Sequence, residues 1–268
     1  MIANETRFPW YDGYWLECFA RAKRYLSVHR PDALQLLLNL VAPARTNPEF
    51  TTTCLRSLLD EAELAYLRQV IAGLKPSQLE LHEIKRFGRW VVHDHPILNE
   101  FQDRMTPLVE DLTGEAVEPS YSFLSMYTRL GRCPLHQDAP YAKWTLDICI
   151  DQSGPWPIHF SQVREWPEDQ VFPESGWEES IMDDPANRFT SQLLLAGDAV
   201  LFSGSSQWHY RDPIATMRQD PFCHLIFFHF IPRAVTHCLD PADWEACLDV
   251  PGLSAGIGHP VRKTFGRR

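Results

Sequence analysis

The sequence predicts an α+β chain in which helices come first and a mainly β core, an all-β barrel or sandwich, follows. Three observations predict it. Apolar residues first recur at helical spacing. From residue 119 they give way to short runs of β-branched and aromatic residues separated by turn signals. The 268 residues, 44% hydrophobic and 12% aromatic, suffice to bury one large core. The boundaries that follow are 1–118 for helical support, 119–235 for the β core with an insertion at 163–190, and 236–268 for a C-terminal helix and tail.

Over 14–42, Trp15, Cys18, Phe19, Ala22 and Leu26 fall at helical spacing, and Pro31-Asp32 opens a second, leucine-rich helix. The stretch 43–53, with two prolines and four threonines, is a connection. Helical spacing resumes from about Leu55, and Leu58, Leu59, Leu64, Leu67, Val70 and Ile71 form a stripe that Gly73 ends. Ser77 and Glu80 have capping-box spacing. Trp90-Val-Val is extended, Pro96 opens a helix over about Ile97–Leu112, and Thr113-Gly114 closes it. The predicted strands are Tyr121–Leu130, Trp144–Asp151, Ile158–Gln162, Ser191–Ala196, Ala199–Ser203, Trp208–Asp212 and Phe222–Ile231, with a tight turn at Leu195–Asp198. Residues 165–187 carry eight carboxylates and no Lys or Arg, together with Trp166, Phe172 and Trp177; they read either as a lid or as a solvated insertion.

A formal charge of −10 and a pI near 5.5 argue against a surface built for phosphate backbones or anionic lipid. The one basic run, 259–268, reads as a solvated terminus. Seven cysteines without a Cys-x-x-Cys pair suggest reduced thiols rather than a disulfide framework or structural zinc. No apolar signal segment follows Met1, and the greasiest runs, Leu34–Ala42 and Leu225–Ile231, are too short to span a bilayer. A cytoplasmic protein with neither a nucleic-acid nor a membrane partner is expected.

The chemistry concentrates in Tyr127–Asp138. In a strand, residues i and i+2 share a face, so His136 and Asp138 present an imidazole and a carboxylate to one metal ion. His209, in Gln-Trp-His-Tyr-Arg-Asp-Pro, is the candidate third ligand; it would complete a 2-His-1-carboxylate face with open positions on iron(II). His93-Asp94-His95 is a rival pair, read as a polar turn because it precedes a proline and no third ligand is placed by spacing.

The ordered set Tyr127, Gly131, His136-x-Asp138, Thr145, His209, Pro213 and Arg218, ending in an apolar strand, resembles the 2-oxoglutarate- and iron(II)-dependent oxygenases, most closely their prolyl-4-hydroxylase-like branch. The resemblance covers about 119–232 and implies a double-stranded β-helix of the jelly-roll or cupin-like kind. It makes His136, Asp138 and His209 the catalytic iron ligands, and Tyr127 a residue that hydrogen-bonds the co-substrate. The cofactors implied are Fe(II), 2-oxoglutarate and O2, with ascorbate as reductant. The family's basic residue, which pairs with the distal carboxylate of 2-oxoglutarate, has two claimants. Counting forward from His209 selects Arg218, whereas counting back from the last strand selects His224. Arginine suits a carboxylate better, because its planar fork pairs two oxygens and stays charged. Arg211, on the face of His209, is a third candidate, for substrate. Asp138 itself favours hydroxylation or a related oxidation over halogenation. The implied reaction is oxidation of an unactivated C–H bond of a small molecule, amino acid or peptide, with release of succinate and CO2. The acidic 165–187 stretch suggests a positively charged substrate, contacted at Glu178 and Glu179. The alternatives are a cupin-type metal barrel with a non-oxidative activity, and an inactive relative acting as a binding module.

Overall fold

The computed structural model describes residues 8–168, 170–214, 220–235 and 239–258. In chain order the elements are α1 (Tyr14–His29), α2 (Pro31–Val41), β1 (Thr53–Leu55), α3 (Glu61–Ala72), α4 (Ile84–Phe87), β2 (Arg89–His93) and α5 (Pro96–Thr113). Then follow β3 (Val117–Tyr127), β4 (Cys133–His136), β5 (Trp144–Gln152), β6 (Ile158–Phe160), α6 (Trp177–Met182), β7 (Thr190–Gln192), β8 (Ala199–Phe202), β9 (His209–Arg211), β10 (Cys223–Pro232), α7 (Trp244–Leu248) and α8 (Leu253–Ile257).

Two antiparallel sheets make the β core. The larger has the order β1-β8-β5-β10-β3-β2 and the smaller β4-β9-β6-β7. Strand parity assigns the faces of the larger sheet. Leu124, Leu146, Ile148, Ile226 and Phe228 point to one side and pack with Leu64, Leu98, Phe101 and Val109 of α3 and α5. Tyr127, Cys149, Leu225 and Phe227 point to the other and meet Ile158 and Phe160 of the smaller sheet. Both faces are thus covered, which explains why β10 is apolar on both parities apart from His224 and His229. Each large apolar side chain buried here contributes about 1.5–3 kcal/mol relative to exposure.

The N-terminal region is not helical support alone. β1 and β2 extend the two edges of the larger sheet, so Leu55 belongs to a strand rather than to the helix expected there. The helix begins at Glu61, where Asp60 and Glu63 form the reciprocal capping box. Glu80, expected in such a box with Ser77, instead accepts hydrogen bonds from the backbone N–H and Nδ1 of His93. α5 ends as expected, at Gly114 with φ +68°.

The acidic insertion is fastened down. Trp166, Phe172, Trp177 and Ile181 are buried with Phe8, Trp10 and Trp15 of the N-terminal segment, and Glu168 pairs with both Lys23 and Arg45. α7 and α8, two short helices where a single one was expected, close this second core through Trp244, Leu248 and Leu253. Among the described residues five cysteines are free, but Cys247 is disulfide-bonded, which corrects the reading of all seven as reduced. Among the described residues no helix is long and apolar enough to cross a membrane.

Candidate metal centre

β4 and β9 are register partners, with His136 opposite His209, so the antiparallel pairing itself sets two imidazoles side by side. Their ring centroids are 4.2 Å apart. The chain leaves β4 after His136, and the backbone N–H of Asp138 bonds to the Gly204 carbonyl, which turns the Asp138 carboxylate between the rings. Its Oδ1 lies 3.3 Å from His136 Nε2 and 3.7 Å from His209 Nε2. All three ligand atoms fall within 4.8 Å of one another, the spacing of one bound ion.

The second contacts of these residues fit a metal. His136 Nδ1 donates to the Pro134 carbonyl and His209 Nδ1 to the Gln207 carbonyl, each at 2.9 Å, which orients both Nε2 atoms toward Asp138. Burial holds His209 down to about 4, with the neighbouring His136 adding to the effect, so it is a neutral ligand at neutral pH. His136 behaves oppositely. Burial opposes its protonation, but the Cys133 sulfur and the Asp138 carboxylate raise it well above its ordinary range. Against its own burial, Asp138 is held well below the usual carboxylate range by His209 and His136. In the metal-free site one proton therefore sits where a cation would. Gly204 makes room for the carboxylate, since a Cβ there would lie 2.2 Å from Asp138 Oδ2.

The trio opens into a cavity between the sheets, lined by residues of both sheets and by Tyr11, Trp15, Tyr141 and Asp240. Two buried guanidiniums reach it. Arg211 of β9 donates to Asp147 Oδ2 at 2.7 Å and to the Trp156 carbonyl at 2.5 Å. Arg89 of β2 donates to Glu83 at 2.5 Å and to the Tyr127 hydroxyl at 2.7 Å. Burial, only partly offset by Arg89, raises the Tyr127 phenol, so it remains a protonated donor.

The structure thus brings together His136, Asp138, His209, Tyr127 and Arg211. His224 is elsewhere. It falls on the other parity of β10, opposite Met126 of β3, and lines a separate surface cleft with Trp90 and Phe222. Arg218 lies outside the described residues. His93, the last residue of β2, reaches the cavity wall, but the chain bends at Asp94, which adopts φ +47° with its carboxylate accepting from Ser122 N–H, and among the described residues His93-Asp94-His95 forms no metal group. Arg89, Asp147, Gly204 and His229 had no sequence signal except Gly204, whose place in Ser203-Gly-Ser-Ser shortly before His209 marks a close backbone approach.

No family model and no curated protein matches the chain. Several solved structures are similar to it in shape. HygX from Streptomyces hygroscopicus, solved with nickel, 2-oxoglutarate and hygromycin B, superposes with a TM-score of 0.49 at 12% identity, covering 74% of this chain and 87% of its own. The non-heme alpha-ketoglutarate-dependent epimerase SnoN of nogalamycin biosynthesis gives 0.48 at 15% identity over 87% and 96%. EctD from S. alaskensis with bound Fe gives 0.46 at 13% over 66% and 72%. Likenesses of this strength assign neither an activity nor a substrate.

Proposed function

We propose that the chain is an iron(II)- and 2-oxoglutarate-dependent oxygenase built on a double-stranded β-helix. The observation that carries the reading is the trio His136, Asp138 and His209 at the inner end of a cavity that also holds two buried guanidiniums. The orders β8-β5-β10-β3 and β4-β9-β6-β7 support the fold, because they are those of two interleaved four-stranded sheets of a jelly roll. Two imidazoles and one carboxylate are the donor set of non-haem iron(II) oxygenases and leave positions free.

Iron, when bound with 2-oxoglutarate and O2, supplies the oxidising power that cleaves a C–H bond, with succinate and CO2 released. The chain's own residues bind and orient. Arg211 lies two residues from His209 on one strand, an advance of about 6–7 Å that a five-carbon diacid spans. Of its five N–H donors two are engaged, leaving a fork for the distal carboxylate. Tyr127 adds a hydroxyl donor from β3, and Arg89 holds that hydroxyl in place. The cavity face of β10, with Cys223, Leu225, Phe227 and His229, offers no Lys or Arg for this task. The finer assignment to the prolyl-4-hydroxylase-like branch therefore rests on Arg218, whereas the described residues favour Arg211. The oxidised substrate, a small molecule, amino acid or peptide, would approach from the side of Asp138 and Tyr141.

Anaerobic titration of the metal-free protein with iron(II) and then 2-oxoglutarate tests the reading through the visible absorption of the chelate. Arg211→Lys is expected to weaken 2-oxoglutarate about tenfold or more by losing the bidentate fork, with iron affinity unchanged. His224→Ala is expected to change nothing. Loss of the band in Arg218→Ala but not in Arg211→Lys would instead place the co-substrate on Arg218. Iron binding with no band at all would favour a cupin-type metal barrel or an inactive relative.

A further inference from the structure

The cavity has a second polar feature that co-substrate binding leaves unused. His229 of β10 is 2% exposed, lines the cavity, and stacks on Tyr121 with ring centroids 4.1 Å apart. Its Nδ1 lies 3.0 Å from Thr145 Oγ1, and the Thr145 hydroxyl is directed to the Ala142 carbonyl at 3.4 Å. In the tautomer in which the Thr145 hydroxyl serves the Ala142 carbonyl, the Thr145 oxygen accepts the Nδ1 proton and His229 Nε2 carries a lone pair. That nitrogen has no hydrogen-bond partner among the described residues. An orphaned buried acceptor is unfavourable, and a donor on a ligand would satisfy it. The position is close to the metal trio: Thr145 Oγ1 and Asp138 Oδ2 both lie within 2.8 Å of where a Cβ on Gly204 would sit.

The charge of the compartment points the same way. Among the described residues the Lys and Arg side chains that line it are Arg89 and Arg211, and each is already paired with its own carboxylate, Glu83 and Asp147. Among the described residues that line it, Asp240 is a further carboxylate, and Tyr141, Tyr11 and Trp15 line the same cavity. Burial raises the Tyr141 phenol, with the negative charge of Asp240 adding to the effect. With 2-oxoglutarate and Asp138 offsetting iron, the remaining surface attracts a cation, and aromatic faces add to that attraction. Among the described residues none of the acidic insertion lines the cavity, and Glu168 is paired with Lys23 and Arg45.

We propose that the substrate is an amine, admitted as its ammonium form between Asp240 and Tyr141, and that an N–H or O–H of it donates to His229 Nε2 beside the metal. This deepens the oxygenase reading and rests on it. The positive charge expected of the substrate from the acidic stretch is kept, and Asp240 on the cavity wall is added as a determinant.

The test uses protein loaded with nickel(II), which is paramagnetic, and 2-oxoglutarate. Proton relaxation of 1,4-diaminobutane, 1,4-butanediol and adipate is compared at equal concentrations. The diamine is expected to relax most strongly, and adipate not at all. Loss of one charged contact in Asp240→Asn, or of the acceptor in His229→Phe, should cut the diamine effect about tenfold. His229→Gln, which keeps an acceptor, should restore part of it. Relaxation of the 2-oxoglutarate protons reports the metal site independently. If they relax while the diol or adipate matches the diamine, or while the diamine effect survives both variants, the amine inference falls and the oxygenase reading stands. If the 2-oxoglutarate protons do not relax, both fall.

Discussion

Gly204→Ala is the most discriminating single change at the metal site. Its added methyl would sit 2.2 Å from Asp138 Oδ2, 2.6 Å from the Ala142 carbonyl and 2.8 Å from Thr145 Oγ1. Carbon–oxygen contacts settle above 3.0 Å, so the carboxylate must withdraw by about 1 Å in a densely packed interior. Asp138 is the carboxylate of the trio, and its Oδ1 sits only 3.3 and 3.7 Å from the two imidazoles. A displacement of that size leaves two ligands in place of three. Iron(II) affinity is expected to fall about 10–100-fold, or about 1.4–2.7 kcal/mol. The Ala142 oxygen is backbone and cannot rotate away, so the metal-free protein should also lose about 1–3 kcal/mol. Affinity is measured by competition with a chromophoric chelator, and stability by denaturant unfolding of the metal-free protein. Gly114→Ala is the control. It meets nothing within 4 Å but sits at φ +68°, so it should cost about 1 kcal/mol and leave affinity unchanged. Equal iron affinity in Gly204→Ala and wild type would refute the assignment of Asp138 as a ligand.

Metal uptake at pH 7 should release on the order of one proton per ion, since the cation replaces the proton that His136 shares with Asp138; calorimetry in two buffers of different ionisation enthalpy measures it, and zero release would contradict the shared proton. Burial holds His229 down to about 3 and His209 to about 4, whereas both would bind protons near 6.5 when unfolded. The unfolded chain therefore binds more protons. These two groups withdraw stability as pH falls from about 7 toward 4, by up to on the order of 3 kcal/mol each, and His229→Gln should flatten that acid limb in melts of the metal-free protein. Asp147→Asn strands the Arg211 guanidinium, whose side chain is 2% exposed, and should cost about 3–5 kcal/mol in urea unfolding. Leu146→Ala, fully buried under α3 and α5, should cost about 2–5 kcal/mol by the same measurement yet leave iron affinity intact, which separates fold from site.

Local pattern carried much of this protein. α1, α2 and α5 follow from helical spacing, α2 and α5 with Pro at their starts and α5 with Gly at its end, and most of the strands follow from β-branched runs between turns. His136 and Asp138 could be paired because i and i+2 lie close whatever the rest of the chain does. His209 could be chosen only by likeness to a known order of residues, and the β4–β9 register turned that choice into a distance. Other features depend on partners far apart in sequence. Whether His224 faces the metal is decided by strand parity, and β10 shifts register against β5 between His224 and Leu225, so no count along the chain could settle it. Arg89 enters the cavity because β2 joins the sheet edge beside β3, a pairing that composition does not announce. The acidic stretch 165–187 reads either as a lid or as a solvated insertion, because its charges are what a linear reading counts. Its tryptophans hold it to the N-terminal segment, and that burial exists only once the chain has folded back. By itself the sequence determined the order of helices and strands and two ligands of the centre. Tertiary structure alone decided which basic groups share the cavity, which acceptor is left unpaired and where the negative charge faces, because sheet register and burial are long-range properties that short-range spacing does not encode.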